Sequence, residues 1–138
     1  MKIISHRGNL DGPSILENEP DHIRFCLSKN IDCEIDVWSI EGQFYLGHDS
    51  PQYLVDLDFL KLDGLWCHCK NLEALEQLLK LDIHCFWHQN DDFTLTSKGF
   101  IWTFPNKKTT ESSIIVDNDA NWREKNYQCY GVCSDYIT

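Results

Sequence analysis

Basic residues are scarce in this 138-residue chain: 12 Lys and Arg stand against 22 Asp and Glu, a formal net charge of -10. That balance opposes nonspecific association with nucleic acid or with an anionic membrane surface, both of which require a positive face. A phosphorylated substrate would have to be held by a few local cations. Long apolar runs are absent too. The segment Met1-Lys2-Ile3-Ile4-Ser5-His6-Arg7 turns polar after a short strand-like stretch, unlike a secretion signal, and no run approaches the ~20 apolar residues that span a bilayer. No internal repeat, linker or low-complexity segment interrupts the chain. These absences predict a cytoplasmic protein with neither nucleic acid nor membrane as partner. The seven cysteines are an odd number, ill suited to a closed disulfide framework, so reduced and mostly buried thiols are expected.

What is present suits one domain over residues 1–138, with 42% apolar residues to build its core. Residues 2–6 read as a strand, and Gly8 to Ser14, which includes Gly12-Pro13, as the loop that follows. Pro20 suits the first turn of a helix that Ile23, Cys26, Leu27 and Ile31 carry through about residue 30. A second strand is predicted over 33–38, after which Glu41-Gly42 can turn a hairpin that returns His48 beside it. A third strand over 65–70 leads into Asn71 as a helix cap, then Leu72, Leu75, Leu78 and Leu79 at helical spacing. Further strands are expected at 83–88, 100–104, 113–117 and 130–135, with a short helix or turn near 92–98 and another near 120–126. Strands that alternate with helices pair in parallel through right-handed crossovers, which predicts an α/β barrel or open sheet.

Ionisable groups gather where these strands end: His6-Arg7-Gly8, Glu34-Ile35-Asp36, His48-Asp49 and His68-Cys69-Lys70, with Trp102-Thr103 at a later strand. Side chains alternate along a strand, so Glu34 and Asp36 share one face while Ile35 and Val37 point to the other, towards a hydrophobic layer. Two inward carboxylates are costly to bury unless a cation neutralises them. A divalent-metal site is therefore the first expectation, with exposed carboxylates salt-bridged to Lys or Arg as the plain alternative. Cys67, Cys69, His84 and His88 superficially suggest a zinc site, but their spacing fits poorly and core thiols explain the cysteines better. His88 closes a strand on the same face as His84 and Phe86, which would bring it to the mouth.

Taken in order, His6-Arg7-Gly8, Glu17-Asn18, Glu34-Ile35-Asp36-Val37, His48-Asp49 and Lys70 at the end of the next strand resemble the motifs of the glycerophosphodiester phosphodiesterases. Relatives of that family include the phosphatidylinositol phospholipase C-like enzymes. The resemblance is firm over residues 1–50, looser over 65–71, and returns at Trp102-Thr103 and in Gly131-Val132-Cys133-Ser134-Asp135-Tyr136, which looks like the family's last strand. It implies a (β/α) barrel with its active site at the carboxyl ends of the strands, and such barrels usually need ~200 residues or more. In 138 residues the expectation becomes an α/β fold: a reduced (β/α) TIM-type barrel with shortened or missing helices in its second half. It would close alone as a monomer or have its strand edges covered in a homodimer.

The resemblance also implies roles. His6 and His48 correspond to the family's general acid/base pair, one taking a proton from an attacking hydroxyl and the other protonating the leaving alcohol. The attacking hydroxyl is often the substrate's own, which yields a cyclic phosphate; structural histidines are the plain alternative. Glu34 and Asp36 match metal ligands whose hard oxygens suit Mg²⁺ or Ca²⁺, with Mn²⁺ as a further option. The departure is His68, where the family usually places a third carboxylate two residues before its Lys. An imidazole there either ligates, moving preference towards Mn²⁺, Fe²⁺ or Zn²⁺, or donates to phosphate and leaves the ion to two carboxylates and water. Arg7 and Lys70 are assigned to the phosphate, with ion pairs to Glu34, Asp36 or Asp49 as their alternative. Asp49 is expected to orient, and Glu17 with Asn18 to close hydrogen bonds around the first loop. Trp102 is either an aromatic wall of the substrate site or core. The implied activity is metal-dependent cleavage of a small glycerophosphodiester-like phosphodiester. The alternatives are the same reaction on a phosphodiester-linked sugar or polymer precursor, and a phosphate-binding module without catalysis.

Overall fold

The chain forms ten strands and three short helices, described over all 138 residues by a computed structural model. The first strand, β1 (Lys2–His6), leads through a loop to α1 (Pro20–Ser28). Glu19 caps that helix by accepting from the backbone N–H groups of Asp21 and His22, and Pro20 follows where a missing N–H costs nothing. Next come β2 (Asp32–Ile40), β3 (Gln43–Leu46), β4 (Tyr53–Val55), α2 (Leu57–Leu60), β5 (Leu65–Cys69) and α3 (Leu72–Lys80). The remainder is nearly helix-free: β6 (Cys85–Phe86), β7 (Phe93–Leu95), β8 (Ile101–Thr103), β9 (Ser113–Val116), a 3₁₀ turn at Trp122–Lys125, and β10 (Gly131–Ser134).

The strands make one mixed sheet. β1 lies between β2 and β10 and is parallel to both; β5 and β6 continue in parallel beyond β2, and β9 and β8 beyond β10. Antiparallel pieces finish it, with β3 and β4 folded against the later half of β2 and β7 edging β8. The β2–β3 turn at Glu41-Gly42 holds both residues at positive φ, 51° and 81°, the backbone that a two-residue hairpin needs.

The sheet curls until its two wings meet. Ile4, Trp66, Phe86, Trp102, Ile114 and Cys133, from six different strands, form one buried cluster on the concave face, and the Phe86 and Trp102 rings lie 4.5 Å apart. On the convex face α1, α2 and α3 cover a larger core that includes Cys33, Ile35, Val37, Cys67 and Cys69. Ile115 and Val132 are covered there by Trp122 rather than by a helix.

The reduced TIM-type (β/α) barrel is thereby corrected. Only 19% of the chain is helical, and the architecture is a curled, mixed half-barrel sheet rather than alternating strands and helices. The cause is local: after β6 the connections are too short, at 87–92 and 104–112, or too polar, at 117–130, to carry amphipathic helices, and two antiparallel insertions break the alternation. The stretch expected as a helix or turn near 92–98 is instead β7, whose Phe93 and Leu95 obey a period of two, followed by a tight turn in which Thr96 N–H donates to Phe100 O. β4 and α2 were not anticipated. All seven cysteines are free thiols, six of them buried. No helix is long and apolar enough to cross a membrane.

Candidate functional site

Parallel pairing brings the carboxyl ends of β1, β2, β5 and β10 to one rim. His6 lies in register with Glu34, and Asp36 with His68. Strand parity sends Glu34, Asp36, Trp66 and His68 to the concave face and leaves Ile35, Val37, Cys67 and Cys69 in the convex core. Four rim groups stand two residues beyond a buried apolar one: His6 after Ile4, His68 after Trp66, His88 after Phe86, Asp135 after Cys133. An apolar floor thus carries a polar mouth. Beyond β1 the chain turns at once, with Arg7 at φ 58° and Gly8 at φ 87°. A Cβ on Gly8 would lie 2.8 Å from Ile23 Cδ1, so only glycine lets α1 pack this close.

Glu34 and Asp36 are 2% and 1% exposed. His68 Nδ1 lies 3.3 Å from Asp36 Oδ1 and 3.6 Å from Glu34 Oε2, and one ligand atom from each of these three residues falls within 4.8 Å of the others. His68 Nε2 must donate its proton to the His88 carbonyl, 2.9 Å away, because a carbonyl can only accept. In the neutral ring this leaves the Nδ1 lone pair facing the carboxylates, the arrangement by which a backbone acceptor orients a metal-ligating histidine. Glu34 Oε1 and Asp36 Oδ1 are buried with no hydrogen-bond partner. Two orphaned carboxylate oxygens beside a free imidazole nitrogen are a donor set that fits a divalent cation. Without one, the histidine balances the charge. Burial by itself would lower the His68 pKa, but its bonds to Asp36 and Glu34 outweigh that and push it up to about 9. Asp36, despite burial that favours its protonated form, is held well below the usual carboxylate range by His48, His68 and Arg7.

His6 and His48 flank this cluster. Burial opposes protonation of His6, yet the hydrogen bond from its Nδ1 to Asp135 Oδ1 (2.8 Å) and the charge of Glu34 raise its pKa. Its other nitrogen, Nε2, lies 3.9 Å from Glu34 Oε1. Asp135, 7% exposed and also bonded by Asn9 Nδ2 at 2.8 Å, has its pKa lowered by those two bonds against the effect of burial. His48 places Nδ1 3.5 Å from Asp36 Oδ2, and Arg7 Nη2 donates to its Nε2 at 3.3 Å. Arg7 also meets Asp36 Oδ2 at 3.5 Å and Glu17 Oε1 at 3.3 Å. Asn18 donates to Asp36 Oδ2 and accepts from the Asp36 backbone N–H, both at 2.9 Å, so the Glu17-Asn18 pair does close the first loop onto the site.

His6, Arg7, Glu34, Asp36, His48 and His68 therefore come together. Lys70, one residue past β5 and partly exposed, follows His68 to the same end of the sheet and forms no ion pair. Trp102 does not reach the rim: it is 3% exposed and packs on Phe86 in the floor, while Phe104, two residues on, stands at the mouth. Asp49 is within 3.6 Å of His48 but its side chain is 96% exposed. Cys67 and Cys69 lie on the face opposite His84 and His88, which disposes of the zinc alternative. Asp135 and Asn9 received no role from sequence. Inward parity along Gly131, Cys133 and Asp135 is the signal that would have found the first; Asn9 offers none.

Fold and rim together define a histidine-lined, metal-competent carboxylate cluster at the strand ends of a curled sheet. Comparisons with known protein families, with curated proteins and with solved structures each find no match to this chain.

Proposed function

We propose that the chain is a metal-dependent phosphodiesterase acting on a small glycerophosphodiester-like substrate. One observation carries this reading: two imidazoles, His6 and His48, flank a buried Glu34/Asp36/His68 cluster whose ligand atoms lie within 4.8 Å of one another. Glu34, Asp36 and His68 would hold the ion, which when bound stabilises negative charge on the phosphoryl oxygens. His6 is the better base of the pair. Asp135 stabilises the imidazolium that forms when His6 Nε2 takes a proton, and fixes the ring so that Nε2 faces the cluster. His48, with its side chain 40% exposed, takes its proton from solvent and delivers it to the leaving alcohol. For that, Arg7 must leave His48 Nε2, and an incoming phosphate gives its guanidinium an anionic partner. Lys70 supplies a second positive charge.

A cleft of about 470 Å³ adjoins His48, and Ile15 is the single apolar residue among its lining, which includes Ser14, Glu17, Ser50 and Gln52. Such a wall favours a polar, hydroxyl-bearing alcohol over a lipid chain.

The test is incubation with glycerophosphodiesters and Mg²⁺, Mn²⁺ or Ca²⁺, followed for release of glycerol phosphate or a cyclic phosphate. His6→Ala is expected to abolish release. Unchanged turnover in both His6→Ala and His48→Ala would reject the acid/base roles, and binding without turnover across all three metals would reject catalysis.

A further inference from the structure

His88 carries an unmet hydrogen-bonding requirement. It follows β6 on the concave face, two residues beyond Phe86, with its ring 6.4 Å from that of His68 and 5.9 Å from that of Phe104. Both of its ring nitrogens are closed off from solvent and bonded to nothing. A neutral imidazole carries one N–H in either tautomer, so one buried donor is unsatisfied whichever nitrogen holds the proton. The backbone of the same residue is already committed, its carbonyl accepting from His68 Nε2. The ring is therefore held beside a ligating histidine on the side of the cluster away from His6, which sits on β1.

Most other donors of the rim are spoken for, Lys70 excepted, whose ammonium forms no ion pair. Arg7 is divided among Glu17, Asp36 and His48, Asn18 serves Asp36, and Asn9 serves Asp135 and Glu17. Turning the half-buried His88 ring about its Cβ–Cγ bond breaks no hydrogen bond, so it can present an N–H to an oxyanion entering the mouth without giving up an existing partner. We infer that His88 is a substrate-binding residue of this site, donating a ring N–H to a non-bridging oxygen of the phosphate. The inference rests on the phosphodiesterase reading for its ligand class, and assigns a residue which that reading leaves without a role.

The test uses inorganic phosphate with Mg²⁺ and the full chain. Titration should move the His88 ring resonance in ¹⁵N-histidine spectra, and His88→Phe should weaken phosphate binding by about tenfold, the loss of one good hydrogen bond. Mg²⁺ affinity without phosphate should stay unchanged, and His88→Asn, which keeps an N–H donor, should recover most of the affinity. A phosphate affinity in His88→Phe within about twofold of the unaltered protein overturns the inference, as does a His88 resonance that phosphate leaves in place, or no phosphate binding at all. Should His88→Phe fail to fold, the ring resonance of the unaltered protein decides. Turnover of a glycerophosphodiester by the unaltered protein separates the two readings. Turnover with normal phosphate binding in His88→Phe removes His88 alone, whereas weakened binding with no turnover in the unaltered protein removes catalysis and keeps His88.

Discussion

In the proposed reaction, the hydrogen bond from His6 Nδ1 to Asp135 is the contact that would make His6 a base rather than a merely buried histidine. Asp135→Asn keeps the shape but removes the charge that stabilises the imidazolium, so kcat should fall by about 10²-fold with KM little changed, in steady-state kinetics on a glycerophosphodiester. Asn18 is 1% exposed and satisfies Asp36 twice. Replacing it by Ala removes the 2.9 Å hydrogen bond to Asp36 Oδ2 and leaves the Asp36 backbone N–H without its partner, which should cost about 2–4 kcal/mol in urea unfolding. If the cluster holds Mg²⁺ as proposed, the same change should weaken its binding by about 10- to 100-fold, since it frees one carboxylate of the cluster from the group that orients it. The residue types at these positions were readable in advance; their partners were not. Nothing in the pattern around Asp135 says that a residue 129 positions away in the chain will share its proton.

Among the elements, α3 is held to the site-bearing strand by one side chain. Asn71 caps the helix by accepting from Ala74 N–H at 3.0 Å, and exchanges two further bonds with the Ser39 backbone at the end of β2. Asn71→Ala should therefore cost more than an ordinary cap, about 2 kcal/mol by thermal or urea unfolding, with some loss of order at the β2 carboxyl end. The cap, the helix behind it and the hairpin at Glu41-Gly42 were all legible, because each depends on neighbours within a few residues. The element expected near 92–98 was misread for the opposite reason. Polar residues on both sides suggested a turn or helix, whereas pairing with β8 made Phe93–Leu95 a strand. β4, three residues long, carries too little periodicity to be separated from a loop, whereas β6 and β8, no longer than it, fall inside the strands expected at 83–88 and 100–104.

For the whole molecule, pH acts through the closed end of the curl as well as through the mouth. There His84 packs at a tilt against Trp66 with ring centroids 4.4 Å apart and shares a 2.8 Å hydrogen bond with Thr96. Burial, helped by Lys98, lowers its pKa to about 4. Below its unfolded value near 6.5 the denatured chain gains a proton that the folded one refuses, so this contribution is complete above pH 6.5 and is lost as pH falls towards 4. After discounting for partial exposure it amounts to about 1–2 kcal/mol, and His84→Gln should reduce by that amount the loss of unfolding free energy between pH 7 and pH 4.5, measured by urea unfolding. His6 and His68, whose pKa values are raised, act in the other direction, so the difference between the two proteins isolates His84. Sequence alone determined the alternation of Glu34 and Asp36 against Ile35 and Val37, the helix caps and the histidines at strand ends, since these follow from backbone geometry and nearest neighbours. Tertiary structure alone decided that the sheet would curl without a full ring of helices. It also decided that Phe104 rather than Trp102 would stand at the mouth, and that Asp135 and Asn9 would join the rim. Those outcomes depend on which distant strands pair and in what register, and pairing is chosen by the burial of the whole concave face at once.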